Sequence, residues 1–297
     1  MTLNSALFFL YARTSVHVGS GRGAGSIDLP IMRQKSSGLP IIPSTSIKGV
    51  WRDAAPSWKL SCDKVTLLFG SADESDATAG RGLLAPQDAR LLLLPVASLT
   101  GGWFWVTSPL LLALFRREAK TCCPMNLPDK VPTCAGETVL LADPAAAYAT
   151  QDAKYVCLYD EVLCVDKDST SASAWASYFA EQLFSADPDW GKVFLTRFAI
   201  VSDEVMDYFS KFATEDQARV KLDENRVAQG TALWREECLP METVLFGVVG
   251  AEGRKSSLFP EAKDVLAKIP AKCTLQIGGK ASTGKGMVDC ILVSPQQ

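Results

Sequence analysis

The sequence predicts an α+β protein with one antiparallel-rich sheet and helices on one face. Three observations carry this. Apolar runs of strand length recur, such as Ala6–Tyr11, Leu91–Leu94 and Trp103–Val106, without a regular βαβα alternation. Stretches with helical apolar spacing, such as Ile47–Trp51 and Val205–Phe212, lie between the runs. The chain has 297 residues, 47% hydrophobic and 21% charged, enough for one large elaborated domain or two ordinary ones.

Residues 5–18 read as the first strand. The start MTLNSALFFLYARTS has no basic n-region and only a short apolar segment, so it reads as a strand and not a signal peptide. No apolar run approaches the ~20 residues that cross a bilayer. A cytoplasmic protein without membrane contact is expected. Next comes Arg13–Arg33, with the only histidine, His17, then Gly19, Ser20, Gly21, Gly23, Gly25 and a lone acid, Asp28. Such a loop either lets backbone approach a ligand or only turns a corner. Pro40 and Pro43 bracket Ile41-Ile42, and Ser44, Thr45 and Ser46 offer N-caps for a helix starting near Ile47. On it Lys48 and Arg52 share one face while Ile47, Val50 and Trp51 turn toward a core. Two cations behind a helix N-terminus fit a phosphate site, and equally an ordinary solvated face.

Cys62–Phe69 reads as a short helix ending at Gly70, and Ser71–Gly82 as an acidic loop. Ala89–Leu94 and Trp103–Val106 are paired strands, and Pro109–Lys120 is a helix with Pro in its first turn. The pattern weakens over Thr121–Thr170, which reads as an insertion. Ser173–Phe184 is a helix broken by Asp187-Pro188, and Phe194–Val201 a strand. Ser202 caps a helix over Asp203–Phe212, with Val205, Phe209 and Phe212 on one stripe. Two strands then join across Asp223-Glu224-Asn225. Thr243–Val249 is a strand and Phe259–Ile269 a helix. A hairpin, Cys273–Ile277 and Met287–Val293, closes the chain around Gly278–Gly286.

Charge is asymmetric. Residues 1–60 carry seven Lys/Arg and two Asp/Glu, and residues 268–297 carry four Lys and one Asp. With a net charge of −3, balances of +5 and +3 at the ends leave −11 in the middle. A basic surface built from both ends is one reading, and a solvated face the other. The nine cysteines are odd in number and scattered, which argues against a disulfide framework. Cys122, Cys123, Cys134, Cys157 and Cys164 lack the C-x-x-C spacing of a structural zinc module.

The loop Gly278-Gly279-Lys280-Ala281-Ser282-Thr283-Gly284-Lys285-Gly286 is either an anion-binding nest or a flexible turn. It is not a nucleotide-hydrolysing P-loop, because Gly286 follows Lys285 and the loop joins two strands. One histidine excludes a two-histidine ribonuclease mechanism, and Asp28 alone is too little for a two-metal site.

In combination these motifs resemble the RAMP superfamily of CRISPR proteins. A strand runs into H-x-G-S-G…D-x-P-I-x-R, then P-S-T-S-I-K-G-x-x-R on a helix, then a late G-G-x-x-S-T-G-K-G between strands. Leu195–Asp203 and Gly230–Pro240 fit as well. Within the superfamily the match is to the repeating backbone subunit of type III-B (Cmr) complexes, the fourth Cmr subunit family. The resemblance spans both ends and much of 195–250, and is weak over 60–190. It implies a single domain with a ferredoxin-like (RRM-like) core from about 1–110 and 240–297, an insertion at about 111–193, and a protruding thumb hairpin at about 200–240. It also implies a helical filament of copies along guide (CRISPR) RNA, other Cmr subunits as partners, and cleavage of complementary target RNA at regular intervals for antiviral defence.

The same resemblance implies site roles. Asp28 is the cleavage aspartate, holding Mg²⁺ or another divalent cation, or orienting attack by a splayed nucleotide's 2′-OH. The products would be a 2′,3′-cyclic phosphate and a 5′-OH. His17 and Glu236 are supporting residues at most. Lys48 and Arg52, with Ser46, contact the guide backbone. Gly19, Ser20, Gly21 and Arg33 line the same groove, as do Gly279, Lys280, Ser282, Thr283, Gly284 and Lys285. Lysines and amides on phosphates suit a sequence-independent binder. Cys238 stands where the family commonly has an aromatic, after Glu236-Glu237; a tyrosine hydroxyl role is lost there, and either glutamate is expected near the site. Three other readings compete: a non-catalytic guide-binding scaffold, a small-molecule phosphate-binding enzyme, and a nuclease that trims precursor RNA.

Overall fold

The computed structural model describes residues 4–23, 25–71, 81–99, 101–122, 126–144, 154–166, 169–222, 228–254 and 258–293. Most of the acidic loop at Ser71–Gly82, Cys123 and the hairpin turn at Asp223–Asn225 lie outside them. In chain order the elements are β1 (Asn4–Ala12), β2 (Ile41–Ile42), α1 (Ser44–Ala54), α2 (Cys62–Phe69), β3 (Leu84–Pro86), β4 (Ala89–Ser98), β5 (Gly102–Thr107) and α3 (Pro109–Cys122). There follow β6 (Thr138–Leu141), β7 (Tyr155–Leu158), β8 (Glu161–Val165), α4 (Thr170–Phe184), α5 (Pro188–Thr196), β9 (Phe198–Val201) and α6 (Asp203–Phe212). The chain ends with β10 (Glu215–Leu222), β11 (Ala228–Cys238), β12 (Val244–Ala251), α7 (Ala262–Leu266), β13 (Lys272–Gln276) and β14 (Met287–Val293). No helix among the described residues is long and apolar enough to cross a membrane.

The mixed α+β class holds, but helices cover both faces of the sheet. β1 lies between β12 and β14, antiparallel to both, and β12 pairs antiparallel with β4. β1 from Ala6 onward and β12 throughout are apolar because both faces are buried. Ala6, Phe8 and Leu10 point into one core with Ile47 and Trp51 of α1 and Val265 of α7. Leu7, Phe9 and Tyr11 point into the other, with Phe115 of α3, Phe179 of α4 and Phe194 of α5. Gly247 sits opposite Phe8, where a Cβ would come 2.4 Å from the ring. That gap admits Phe8, which meets Trp51 edge-on at 5.3 Å, a contact worth about 1 kcal/mol beyond burial.

Beyond β4 the sheet curls into a closed ring, β4-β5-β9-β6-β8-β7. Ser98 of β4 pairs with Leu158 of β7 to close it. All six strands contribute to a third core, through residues such as Leu94, Phe104, Val139, Val156, Leu163 and Val201, which Met206 and Phe209 of α6 join. Two of its pairings, β5–β9 and β6–β8, are parallel.

Several boundaries differ from the sequence reading. β1 stops at Ala12, and Arg13–Pro43 is irregular apart from isolated bridges and β2. α1 starts at Ser44 with Pro43 as its N-cap, so the serines occupy its first turn. Phe194–Thr196 belongs to α5, begun by an Asp187 side chain that accepts from Trp190 N–H, and the strand starts at Phe198. Phe212 of α6 is exposed, and Met206, Phe209 and Ser210 are its buried residues. α7 spans only five residues between Pro260 and Pro270. β10 and β11 form a separate two-stranded sheet, with Val220 and Leu233 opposite each other and exposed.

Candidate active site

The end of β11, Trp234–Cys238, is the spine of the site. One edge of β11 pairs with β10, and the chain after β1 covers the other. Val16 and Leu239 exchange both backbone bonds at 2.9 Å. Leu29 N–H donates to the Arg235 carbonyl at 3.0 Å, and Glu237 N–H to the Leu29 carbonyl at 3.0 Å. The Asp28 carboxylate continues this ladder, its Oδ2 accepting from Arg235 N–H at 2.8 Å. Asp28 itself is exposed, so a carboxylate is fixed at the root of the β10–β11 hairpin and open to solvent.

Successive strand residues point to opposite faces, so Glu236 and Glu237 part company. Both are 2% exposed. Glu237 Oε2 accepts from Ile31 N–H at 3.1 Å, and Oε1 from Thr214 Oγ1 at 3.0 Å and from Arg33 Nη2. Arg33 also donates to the carbonyls of Gly38 and Ser210, at 2.9 Å each. Its guanidinium therefore braces the loop against α6.

Glu236 faces the C-terminal loop. Its Oε1 accepts from Trp234 Nε1 and from Lys280 Nζ, both at 2.7 Å, and Arg219 Nε lies 3.5 Å from Oε2. Burial alone would push this carboxyl up. The Lys280 and Trp234 hydrogen bonds and the charges of Lys280 and Lys285 outweigh it and hold it at about 2. Lys285 is 5% exposed and donates to Cys238 Sγ at 2.8 Å and Gln217 Oε1 at 2.9 Å. The Lys285 ammonium, expected to face RNA, points inward, because a buried carboxylate needs a counter-charge. Cys238, in the aromatic's place, is fully buried, and burial pushes its thiol up.

His17 joins the two glycine-rich loops. Its Nδ1–H donates to the Glu237 carbonyl at 2.7 Å, and its own carbonyl accepts from Gly279 N–H at 2.9 Å. Gly278, at φ +83°, lies so near that a Cβ would come 2.3 Å from the His17 carbonyl oxygen. A Cβ on Gly19 would come 2.8 Å from His17 Nε2. His17 is 6% exposed and acts as a hinge pin between backbones. Ser20 bonds back to Pro30, and Gly21 is exposed at φ +99°. Ser282, Thr283 and Gly284 are exposed at the tip of the other loop.

Ser46, Lys48 and Arg52 share no hydrogen bond with this spine among the described residues. Arg52 Nη2 donates to the Gly70 carbonyl. Lys48 is half-buried, and burial with the charges of Arg52 and Arg81 pulls its ammonium down.

The described residues do not build a metal cage. No group of three or more His, Cys, Asp or Glu converges among them. Asp28 offers one carboxylate oxygen beyond the one bonded to Arg235.

The sequence reading placed either glutamate near the site and singled out Glu236 as support; Glu237 is the centre of the bonds around Asp28. Trp234, Thr214 and Gln217 carried no sequence signal of a role there.

The fold sets a closed strand ring beside a double-faced sheet, with a hairpin rooted in two glycine-rich loops. A model of the RAMP superfamily matches residues 9–289, and the chain belongs to that superfamily. The CRISPR system Cmr endoribonuclease Cmr4 of Pyrococcus furiosus is 31% identical over 98% of this chain and 96% of its own length. The crystal structure of oligomeric Cmr4 from that organism superposes with a TM-score of 0.75 and 26% identity, covering 100% of both chains. A chain of the type III-B Cmr-beta complex bound to cognate target RNA shares the fold, with a TM-score of 0.70 and 22% identity over 97% and 96% of the two chains.

Proposed function

We propose that this chain is the repeating backbone subunit of a type III-B CRISPR effector, binding guide RNA and cutting complementary target RNA. The observation that carries the reading is an exposed carboxylate, Asp28, fixed by the outer edge of β11 at the root of a free-standing hairpin. The full-length likeness to a Cmr endoribonuclease supports the same activity. The order β14-β1-β12-β4, all antiparallel, with α1 and α7 as crossovers, supports a ferredoxin-like core carrying the ring as an elaboration. The likeness to an oligomeric Cmr4 supports a filament of copies. Guide RNA as its track, other Cmr subunits at its ends and a cytoplasmic setting complete the reading.

The chemistry follows from placement. The exposed Val220–Leu233 pair suits apolar wedging between bases. A target nucleotide displaced there brings its 2′-OH to the hairpin root. Asp28 accepts the hydroxyl's hydrogen bond and aligns it with the adjacent phosphorus. The 2′-O–P bond forms as the P–O5′ bond breaks; the 2′-OH proton passes to Asp28 and the departing 5′-oxygen takes one from water, leaving a 2′,3′-cyclic phosphate and a 5′-OH. A divalent cation here would find one oxygen of Asp28 and take its other ligands from RNA and water, and no step above depends on one. The guide backbone lies along Lys48 and the exposed tip of the C-terminal loop, Ala281–Gly284.

The test is the assembled complex with guide RNA, given complementary target and Mg²⁺. Asp28→Ala should bind target as before and leave it uncut. Unchanged cutting would refute the assignment and favour the scaffold reading.

A further inference from the structure

We propose that Glu237 is a positioning residue for target cleavage, a latch that holds the Asp28 loop on the root of the hairpin. The inference rests on the assignment of Asp28 as the cleavage carboxylate. Two hydrogen bonds hold Asp28 itself: its Oδ2 meets Arg235 N–H at 2.8 Å and its carbonyl accepts from Gly23 N–H at 2.9 Å, and Leu29 beside it pairs with β11. Glu237 makes that pairing rigid through five bonds at once. Its N–H holds the Leu29 carbonyl at 3.0 Å and its carbonyl holds His17 Nδ1 at 2.7 Å. Its carboxylate holds Ile31 N–H, Arg33 and Thr214.

These partners come from four places: the Asp28 loop, the histidine between the glycine-rich loops, Thr214 just before β10, and, through Arg33, the end of α6 at Ser210. The carboxylate is 2% exposed and every partner is a donor, so it accepts three bonds as an anion and has no role open to solvent. It lies on the Asp28 side of β11, whereas Glu236 serves the C-terminal loop. Glutamine in its place turns an amide N–H toward Ile31 N–H or toward the Arg33–Thr214 pair, and one contact becomes donor against donor. The loop then loses its fixed register. A displacement of ~1 Å at a reacting group costs about 100-fold in rate.

The experiment compares Glu237→Gln, Asp28→Asn and the unaltered protein in the assembled complex, under single-turnover conditions with complementary target RNA. We expect the Glu237→Gln rate constant to fall between about 10-fold and about 100-fold, with target affinity and cut spacing unchanged. A purely structural role would instead lower the fraction of active complex, so amplitude would drop and the rate constant would hold; that result overturns the proposal. A wild-type rate for Glu237→Gln beside an inactive Asp28→Asn overturns the latch alone. Full cutting by Asp28→Asn removes the parent assignment. If Glu237→Gln does not assemble, Thr214→Val removes a single donor, and it should slow cleavage about fivefold with affinity kept; an unchanged rate there overturns the latch as well.

Discussion

The two glycine-rich loops look alike in the sequence and do opposite things in the structure. Gly19–Arg33 is drawn out along β11 as an added edge and presents a charged side chain, Asp28, to solvent. Gly278–Gly286 folds into a tight turn, with a 3₁₀ segment at Ala281–Thr283, and turns both lysines toward Glu236, Lys285 buried and Lys280 partly exposed. Its exposed tip, Ala281–Gly284, is backbone and small hydroxyls. The difference lies in what each loop meets on β11. The first meets an unpaired strand edge, which demands backbone partners. The second meets a buried carboxylate, which demands cations. Glycine density alone carries neither message.

The largest effect falls on the first loop. Asp28→Asn keeps an acceptor for Arg235 N–H and removes only the charge. Cleavage by the assembled complex should fall roughly 10²–10⁴-fold with the melting temperature unchanged. A fall in stability equal to that of Asp28→Ala would mean that Asp28 is an edge cap and nothing more, erasing the functional contrast between the loops.

The second loop should answer with stability. Glu236→Gln leaves Lys280 and Lys285 without their shared anion, and breaking a buried pair costs about 3 kcal/mol, read by denaturant unfolding. Acid makes the same point without mutation. The Glu236 carboxyl is lowered to about 2 from an ordinary 4.5, so its contribution is full above about pH 4.5 and lost as pH falls toward 2. Amide exchange at Gly278–Gly286 should rise over that window before the sheet opens. Uniform opening would show that the loop is not held by Glu236.

How much of this was legible follows from the range of each signal. The continuous apolar runs of β1 and β12 announced strands, yet the same runs also meant burial on both faces, and the sequence reading put helices on one side only. The hairpin at β10–β11 was readable from local alternation. The ring was not, because its closure rests on Ser98 meeting Leu158, 60 positions away, and no local pattern reports that. Phe194–Thr196 reads equally as strand or helix by apolarity, although Asp187-Pro188 is a helix start that could have settled it. Asp28 came from family resemblance, since one acid in a polar loop has no local signature. Lys285 was misjudged because an inward lysine and an RNA-facing lysine look the same until the partner carboxylate is placed.

Gly278→Ala against Gly25→Ala separates the loops with the smallest possible change. At Gly278 the left-handed φ of +83° and the 2.3 Å approach to the His17 carbonyl oxygen leave no room for a Cβ. Alanine there should destabilise by about 2 kcal/mol. At Gly25 nothing lies within 4 Å, so alanine should stay within about 0.5 kcal/mol. Equal effects would mean that His17 does not join the loops as placed.

Lys48→Ala carries the contrast to the guide itself. If both lysines of the second loop are neutralised by Glu236, the loop meets phosphate through the backbone and hydroxyls of its exposed tip, and the cationic contact falls to α1. Lys48 is the cation there with a lowered ammonium and two arginines beside it. Its removal should weaken guide binding by less than about tenfold and reduce the slope of log affinity against log salt by about 1. Lys285→Met should leave that slope alone, because an ammonium already neutralised by Glu236 releases no counterion when RNA arrives. A slope that changes for Lys285→Met and not for Lys48→Ala would reverse the assignment of cations between the helix and the loop.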